Sequence, residues 1–193
     1  VVGDEALASA LGQLGGRLAP RVEFDHPDRD TLIIARQYTA SLQTAVQRGA
    51  HLLLLAGLDF GKDAAAVRLP LGAVTARAHT AWQGDWATSF SWLKKTGPFA
   101  ALPGDPLLEM EYAAVMPDAV ITGIPAWRYR DLSWAGLALG WIHKPTSLLA
   151  KIPYGRGAIT LTTFDLTAER VAGDVVAQAL MAGLVTLAHG AKV

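Results

Sequence analysis

The sequence contains no cysteine among its 193 residues. This absence excludes disulfides, zinc sites built on thiolates and catalysis by a thiol nucleophile. It leaves the cellular compartment open, because secreted proteins as well as cytosolic ones can fold without disulfides.

The chain also lacks an excess of either charge, since 17 basic residues balance 17 acidic ones. No basic stripe predicts a nucleic-acid surface or a polybasic membrane patch. Long apolar runs are missing too, the longest being residues 52–56, and a membrane-spanning helix needs about 18 to 20 such residues. We therefore expect neither nucleic acid nor a membrane as a partner.

The N-terminal segment VVGDEALASALGQLGG has no initiator methionine and no basic region ahead of an apolar core. It is therefore not a signal peptide. We expect the chain to be one piece of a longer protein, whose compartment stays open and could be secreted or periplasmic.

What is present indicates one α/β domain over residues 1–193, since 51% of the residues are hydrophobic. Residues 31–35 (TLIIA) and 51–56 (HLLLLA) are short apolar runs typical of buried strands. Residues 39–48 between them form a helical pattern with Thr39 or Ser41 at its start and Gly49 at its end. This spacing predicts a βαβ unit with parallel strands.

Residues 146–165 predict a β-hairpin around Tyr154-Gly155-Arg156-Gly157, where the glycines permit a tight turn. Because this turn leads into another strand and not into a helix, it is not a phosphate-binding loop. We predict that the hairpin forms an antiparallel edge of a mainly parallel, three-layer flavodoxin-like sheet. A helix over residues 171–189 follows, with Asp165 and Thr167 as cap candidates.

The rest of the chain is less regular. We predict an amphipathic helix over residues 4–19, strands over 72–81, 119–124 and 136–142, and two helical turns over 88–95. Residues 57–117 form an irregular insertion, and long irregular segments in compact domains are usually functional or interfacial.

The segments GWIHKP, SLLAKIPYGRGAITLTTFDL and WATSFSWLKKTGPFAALPGDPLLEMEYAAVMPDAVITGI carry a resemblance that extends from about residue 31 to residue 188. The chain resembles class I glutamine-amidotransferase-like domains, and more narrowly the non-catalytic module of this fold in bacterial glycoside hydrolases related to family 2 and to β-galactosidases. The resemblance implies a flavodoxin-like fold. It also implies, as partners, the other domains of a parent glycoside hydrolase, with an oligosaccharide or a second copy of the chain as further candidates.

Amidotransferases of this class place a cysteine on a tight turn after a strand, and here the corresponding run is Gly57-Leu58-Asp59-Phe60-Gly61. Without cysteine, thioester chemistry on glutamine is excluded. Asp59 is a candidate carboxylate nucleophile with His143 as its base, and the alternative is that Asp59 is an ordinary turn residue.

The histidines show no H-x-H or H-E-x-x-H spacing, so we predict neither a metal site nor a cofactor. Tryptophan is the more unusual component, with six residues. Trp92 and Trp141 lie in apolar surroundings typical of a core. Four others have polar neighbours and suit a sugar platform or a domain interface, with core packing as the competing interpretation: Trp82, Trp86, Trp127 and Trp134.

The sequence thus favours a non-catalytic accessory module of a multidomain glycoside hydrolase, which packs on the catalytic domain, supports oligomerisation or borders the sugar cleft. The alternatives are a stand-alone α/β hydrolase that uses Asp59 and a carbohydrate-binding module that uses exposed tryptophans.

Overall fold

The protein is described by a computed structural model that covers residues 1–13, 31–83, 89–140 and 146–190. The described strands are β1 (Leu32–Ala35), β2 (His51–Leu55), β3 (Ala73–Ala76), β4 (Ser89–Leu93), β5 (Ala119–Thr122), β6 (Ser133–Leu139), β7 (Ser147–Tyr154) and β8 (Gly157–Thr162). The α-helices are α1 (Glu5–Gln13), α2 (Ala40–Arg48), α3 (Ala126–Leu132), α4 (Ala168–Gly173) and α5 (Val175–His189). Two short 3-10 helices span Gly97–Phe99 and Met110–Val115.

The eight strands form one mixed sheet. On one side, β1, β2 and β8 are parallel neighbours, and we call these three strands the parallel half. β7 runs antiparallel to β8 and also pairs with both β5 and β6, so the sheet forks there. β3 lies outside β5 and β4 outside β6, both antiparallel, and we call these four strands the antiparallel half. Five strands therefore run in one direction, although only two neighbouring pairs are parallel.

The sheet has a hydrophobic core on each face, which gives three layers. Alternate residues of β2 enter different cores: Leu53 and Leu55 contact the core beneath α1 and α5, whereas Leu52 and Leu54 contact the core beneath α2. Side chains of a strand alternate between faces, so a strand covered on both sides must be apolar throughout. The run HLLLLA has this composition, and the three-layer α/β class follows from it.

The predicted βαβ unit is confirmed. Thr39 caps α2 by accepting a hydrogen bond from the backbone N–H of Leu42, and Gly49 ends the helix at a φ of 126°. β1 and β2 pair in parallel, with Leu32 beside His51. The N-cap at Thr39 and the glycine at position 49 therefore define the helix of this βαβ unit through contacts between near neighbours in the sequence.

The hairpin is also confirmed, but its predicted position at a sheet edge is wrong. β8 lies between β2 and β7, and β7 pairs with three other strands. Ten of the fourteen residues of the two strands are buried, including Leu148, Leu149 and Ile159. A hairpin that is apolar on both faces needs neighbours on both sides, so it occupies the centre of the sheet.

The helical turns predicted for residues 88–95 are absent from the described residues 89–95, because Ser89–Leu93 are strand β4 and residues 94–95 belong to no helix. Ser91 and Leu93 are buried, whereas Phe90 is exposed and Trp92 is only half-buried. That alternation has a period of two, as in a strand with one covered face. The insertion over residues 57–117 therefore contributes two strands, β3 and β4, to the central sheet.

The C-terminal helical pattern divides in two at Asp174. Thr167 caps α4 as predicted, by accepting from the N–H of Arg170. The Asp174 carboxylate then accepts from Ala177 N–H at 2.8 Å and begins α5. At the other terminus α1 is confirmed to Gln13, and the rest of that prediction lies outside the described residues. Within the described ranges, no helix is long and apolar enough to cross a membrane.

Candidate functional site

A cavity of about 210 Å³ opens where the strands of the parallel half end. Arg36 follows β1, Gly57 and Leu58 follow β2, and Phe164 and Asp165 follow β8. Asp118, directly before β5, completes the wall. We call this cavity the carboxyl-end crevice. It lies at the place where open α/β sheets bind ligands, because loops diverge there and leave a gap.

The position of the crevice follows from the two covered faces of the sheet. α2 packs on one face of β2 and β8, and α5 packs on the other. The chain leaves β2 through the turn at residues 57–61 and leaves β8 towards α4. Since these two exits separate above neighbouring strands, the space between them stays unfilled.

Arg36 is held rigidly in the crevice wall. Its Nε donates to Asp4 Oδ2 at 2.7 Å, and its Nη2 donates to the carbonyl oxygen of Leu166 at 3.1 Å. Burial opposes ionisation of Asp4, but hydrogen bonds from Leu7 N–H and Arg36, together with the Arg36 charge, lower the pKa of Asp4 below 3.8. The Asp4 carboxylate is therefore ionised at neutral pH.

The two carboxylates of the crevice differ in their partners. Asp165 forms an ion pair with Arg170 at 2.9 Å. Asp118 is exposed, and within the described part of the chain no hydrogen bond or ion pair involves its carboxylate; its carbonyl oxygen accepts from Arg77 N–H at 2.8 Å. Asp118 was not recognised from the sequence, because an isolated aspartate after a proline carries no motif.

Asp59, the candidate nucleophile, lies in an exposed turn after β2. Its carbonyl oxygen accepts from Gln37 Nε2 and from Lys62 N–H, both at 3.1 Å. No helix follows this turn within residues 57–83. An amidotransferase-type turn leads into a helix whose N–H groups stabilise an oxyanion. Asp59 lacks that arrangement, and His143 lies outside the described residues.

The structure places the candidate tryptophans in different surroundings. Trp82 and Trp134 are partly buried and pack against the core beneath α5, where Trp134 meets Phe99 edge to face at a centroid distance of 6.1 Å. Trp127 is 80% exposed, with the Arg128 guanidinium 5.7 Å above its ring. Trp86 and Trp141 lie outside the described residues. Of the described candidates, Trp127 alone presents most of its surface to solvent.

A second exposed apolar surface lies on the antiparallel half. Phe90 and Leu107 are each about half exposed, at 50% and 44%. Leu107 bridges to Trp92 of β4, and the Trp92 ring packs edge-on against Tyr129 at 6.2 Å. We call Phe90, Trp92 and Leu107 the aromatic edge. The alternation of polar and apolar residues over 89–93 is the sequence signal for this strand, and the prediction of helical turns did not take it into account.

The described histidines do not assemble a metal site. The rings of His51 and His189 lie 6.3 Å apart, whereas His79 occupies a separate turn at a φ of 58°. Among the residues that the structure describes, no group of three or more His, Asp or Glu side chains is arranged to hold a metal ion.

Fold and site together define an α/β domain with a forked mixed sheet and a mixed-charge crevice at the carboxyl ends of its parallel strands. No protein-family model matches the chain, and no curated protein matches it. Its function must therefore be argued from its own residues.

Proposed function

We propose that this domain is a non-catalytic accessory module of a multidomain glycoside hydrolase, with an amidotransferase-like, flavodoxin-like fold. The sequence resemblance motivates the proposal. In this role the domain packs on the catalytic domain of the same protein and takes part in carbohydrate metabolism through it.

The observation that carries the proposal is the turn after β2. The resemblance implies that this turn corresponds to the one on which amidotransferases carry their nucleophile, yet Asp59 is exposed here and no helix follows within residues 57–83 to supply backbone donors. Acyl-transfer chemistry needs a nucleophile, a base and oxyanion donors within hydrogen-bond reach. A domain that keeps the strand and lacks these donors fits an accessory role better than a catalytic one.

The aromatic edge supports a packing role. Phe90 and Leu107 expose large apolar side chains on the same stretch of sheet, next to the half-buried Trp92. Exposed clusters of this kind are typical of protein interfaces, because burying them on a partner removes apolar surface from water. Both residues belong to the insertion over residues 57–117.

Enzyme assays test the non-catalytic part. We expect the purified domain to hydrolyse neither aryl glycosides nor glutamine. Turnover that is abolished by Asp59→Asn, while thermal unfolding stays unchanged, would overturn the proposal in favour of a carboxylate hydrolase.

Reconstitution tests the packing part. The gene should encode a glycoside hydrolase catalytic domain, and a gene without one would contradict the proposal. We expect that catalytic domain, expressed separately, to bind the present domain, and the double variant Phe90→Ser with Leu107→Ser to bind at least tenfold more weakly. Val175→Ser is the matched control, because Val175 is 76% exposed at the start of α5, away from the aromatic edge.

A further inference from the structure

We infer that the carboxyl-end crevice binds a small neutral polyhydroxylated molecule of monosaccharide size. This inference is independent of the proposed packing role, because the crevice belongs to the parallel half and the aromatic edge to the antiparallel half.

The size of the crevice limits its occupant. Its volume of about 210 Å³ is below the roughly 300 Å³ at which pockets for drug-sized ligands begin. A single sugar ring is suitable, and a nucleotide or an extended peptide is too large to be enclosed.

The charges of the wall disfavour an anion. Asp118, Asp165 and Arg36 line the crevice, and with their ion-pair partners Arg170 and Asp4 they make three carboxylates against two guanidinium groups. The Arg36 guanidinium is already hydrogen-bonded to Asp4 and to the carbonyl oxygen of Leu166. A phosphate or carboxylate ligand would meet net negative charge and would have to compete with Asp4.

A cation is also disfavoured. Asp165 is paired with Arg170, which leaves Asp118 as the carboxylate of the wall with no described partner. Hard metal ions need about six oxygen ligands, and the described residues offer no cluster of metal-ligating side chains. An ammonium group would also lie in the same small space as the Arg36 guanidinium.

A neutral polyol is the class of ligand that matches the remaining polar and apolar groups of the crevice. The Asp118 carboxylate accepts hydrogen bonds from hydroxyl groups, and charged acceptors make the stronger bonds. Leu58 adds apolar surface on which the C–H face of a sugar ring can pack. Leu58 is 50% exposed, as expected of a side chain at the mouth of a binding site.

Amide chemical shifts of the ¹⁵N-labelled chain provide the test, with glucose, galactose, mannose and xylose as neutral probes. We expect at least one of them to bind with a dissociation constant in the millimolar range and to shift the amides of Gly57, Asp118 and Asp165. Glucosamine and glucuronate have the same ring with a positive or a negative charge, and we expect both to bind more weakly than that neutral probe.

Asp118→Asn should weaken binding of that probe about tenfold, because a charged hydrogen-bond acceptor is replaced by a neutral amide. Asp105→Asn changes another exposed aspartate outside the crevice and should leave binding unchanged. The inference is overturned if no neutral probe shifts the crevice amides, if glucosamine or glucuronate binds more tightly, or if Asp118→Asn binds as the parent does while thermal unfolding of both is the same.

Discussion

The parallel and antiparallel halves of the sheet differ in what covers them. β2 and β8 have helices on both faces, and all of β2 after His51 is buried. By contrast, β3 has no fully buried residue, and β4 exposes Phe90 on one face. The parallel half is therefore buried along all three strands and has a crevice at its end, whereas burial in the antiparallel half is concentrated in β5 and β6. The antiparallel half leaves apolar surface available for a partner.

The difference suggests two kinds of interaction in one domain. A crevice between strand ends encloses a small molecule, because loops from several strands surround it. The aromatic edge, where Phe90 and Leu107 expose apolar side chains, instead suits contact with another protein surface. Substitutions in the two halves should accordingly have effects that differ in magnitude and in the property they change.

The largest expected difference is in the free energy of unfolding when one strand side chain in each half is shortened to alanine. Leu54→Ala in β2 removes a fully buried side chain and should lower the free energy of unfolding by about 2–5 kcal/mol. Val74→Ala in β3 changes a half-buried residue and should cost about 1 kcal/mol or less. Urea unfolding measures both. Equal losses would contradict the comparison.

The next effect concerns the contact between the hairpin and α2. A Cβ atom at Gly157 would lie 2.1 Å from the carbonyl oxygen of Ala50 and 2.7 Å from that of Val46. Because both obstacles are backbone atoms, Gly157→Ala should destabilise the fold by about 1–3 kcal/mol or more. Thermal unfolding would show this loss.

Gly12→Ala is the matched control for that substitution. Gly12 lies in α1, where an added Cβ would meet nothing within 4 Å. Alanine favours a helix over glycine by up to about 1 kcal/mol, so this variant should be equal to the parent or more stable. If Gly157→Ala were equally harmless, the hairpin would not be packed on α2 as described.

A smaller effect is expected at the start of α5, the helix that covers the parallel half. Asp174→Ala removes the side-chain cap on Ala177 N–H and should cost about 0.5–2 kcal/mol. Asp105→Ala serves as control, because no hydrogen bond is described for that exposed carboxylate. An unchanged melting temperature for Asp174→Ala would indicate that α4 and α5 behave as one helix.

The smallest expected effect is a pH dependence of the free energy of unfolding, which arises from Asp4 and its ion pair with Arg36 in the crevice wall. The folded pKa of Asp4 is lowered, so its ionised form stabilises the fold above pH 3.8 and this contribution is lost as the pH falls through the folded pKa. Asp4→Asn keeps an N-cap residue for α1 but removes the charge.

The variant should be less stable than the parent at pH 6 by under about 1 kcal/mol, because the pair is partly exposed. The difference should vanish in acid. A difference that persists at low pH would show that the ion pair with Arg36 is not its source.

Sequence reasoning succeeded where the signal was local. Thr39, Gly49 and Thr167 mark helix boundaries by chemistry that involves their immediate neighbours, and each boundary is confirmed. It failed where the outcome depended on distant partners. The sequence predicts an edge position for the hairpin because it does not specify the neighbouring strands. It predicts helical turns at β4, because the partner strand β6 begins 40 residues later.

The candidate site shows the same division. Asp59 was recognised because it lies in a motif-like turn, yet the turn leads to no helix. Arg36, Asp118 and Asp165 were not grouped, because they are distant in sequence and meet only when the strand ends come together.

By itself, the sequence determined the α/β class, the βαβ unit, the hairpin and the exclusion of thiol chemistry, since these depend on composition and on contacts between near neighbours. The tertiary structure decided the central place of the hairpin, the fork of the sheet at β7 and the residues of the crevice. The physical reason is that strand pairing joins residues far apart in the chain. Burial of both faces then selects which strands become neighbours, and a local pattern does not contain that information.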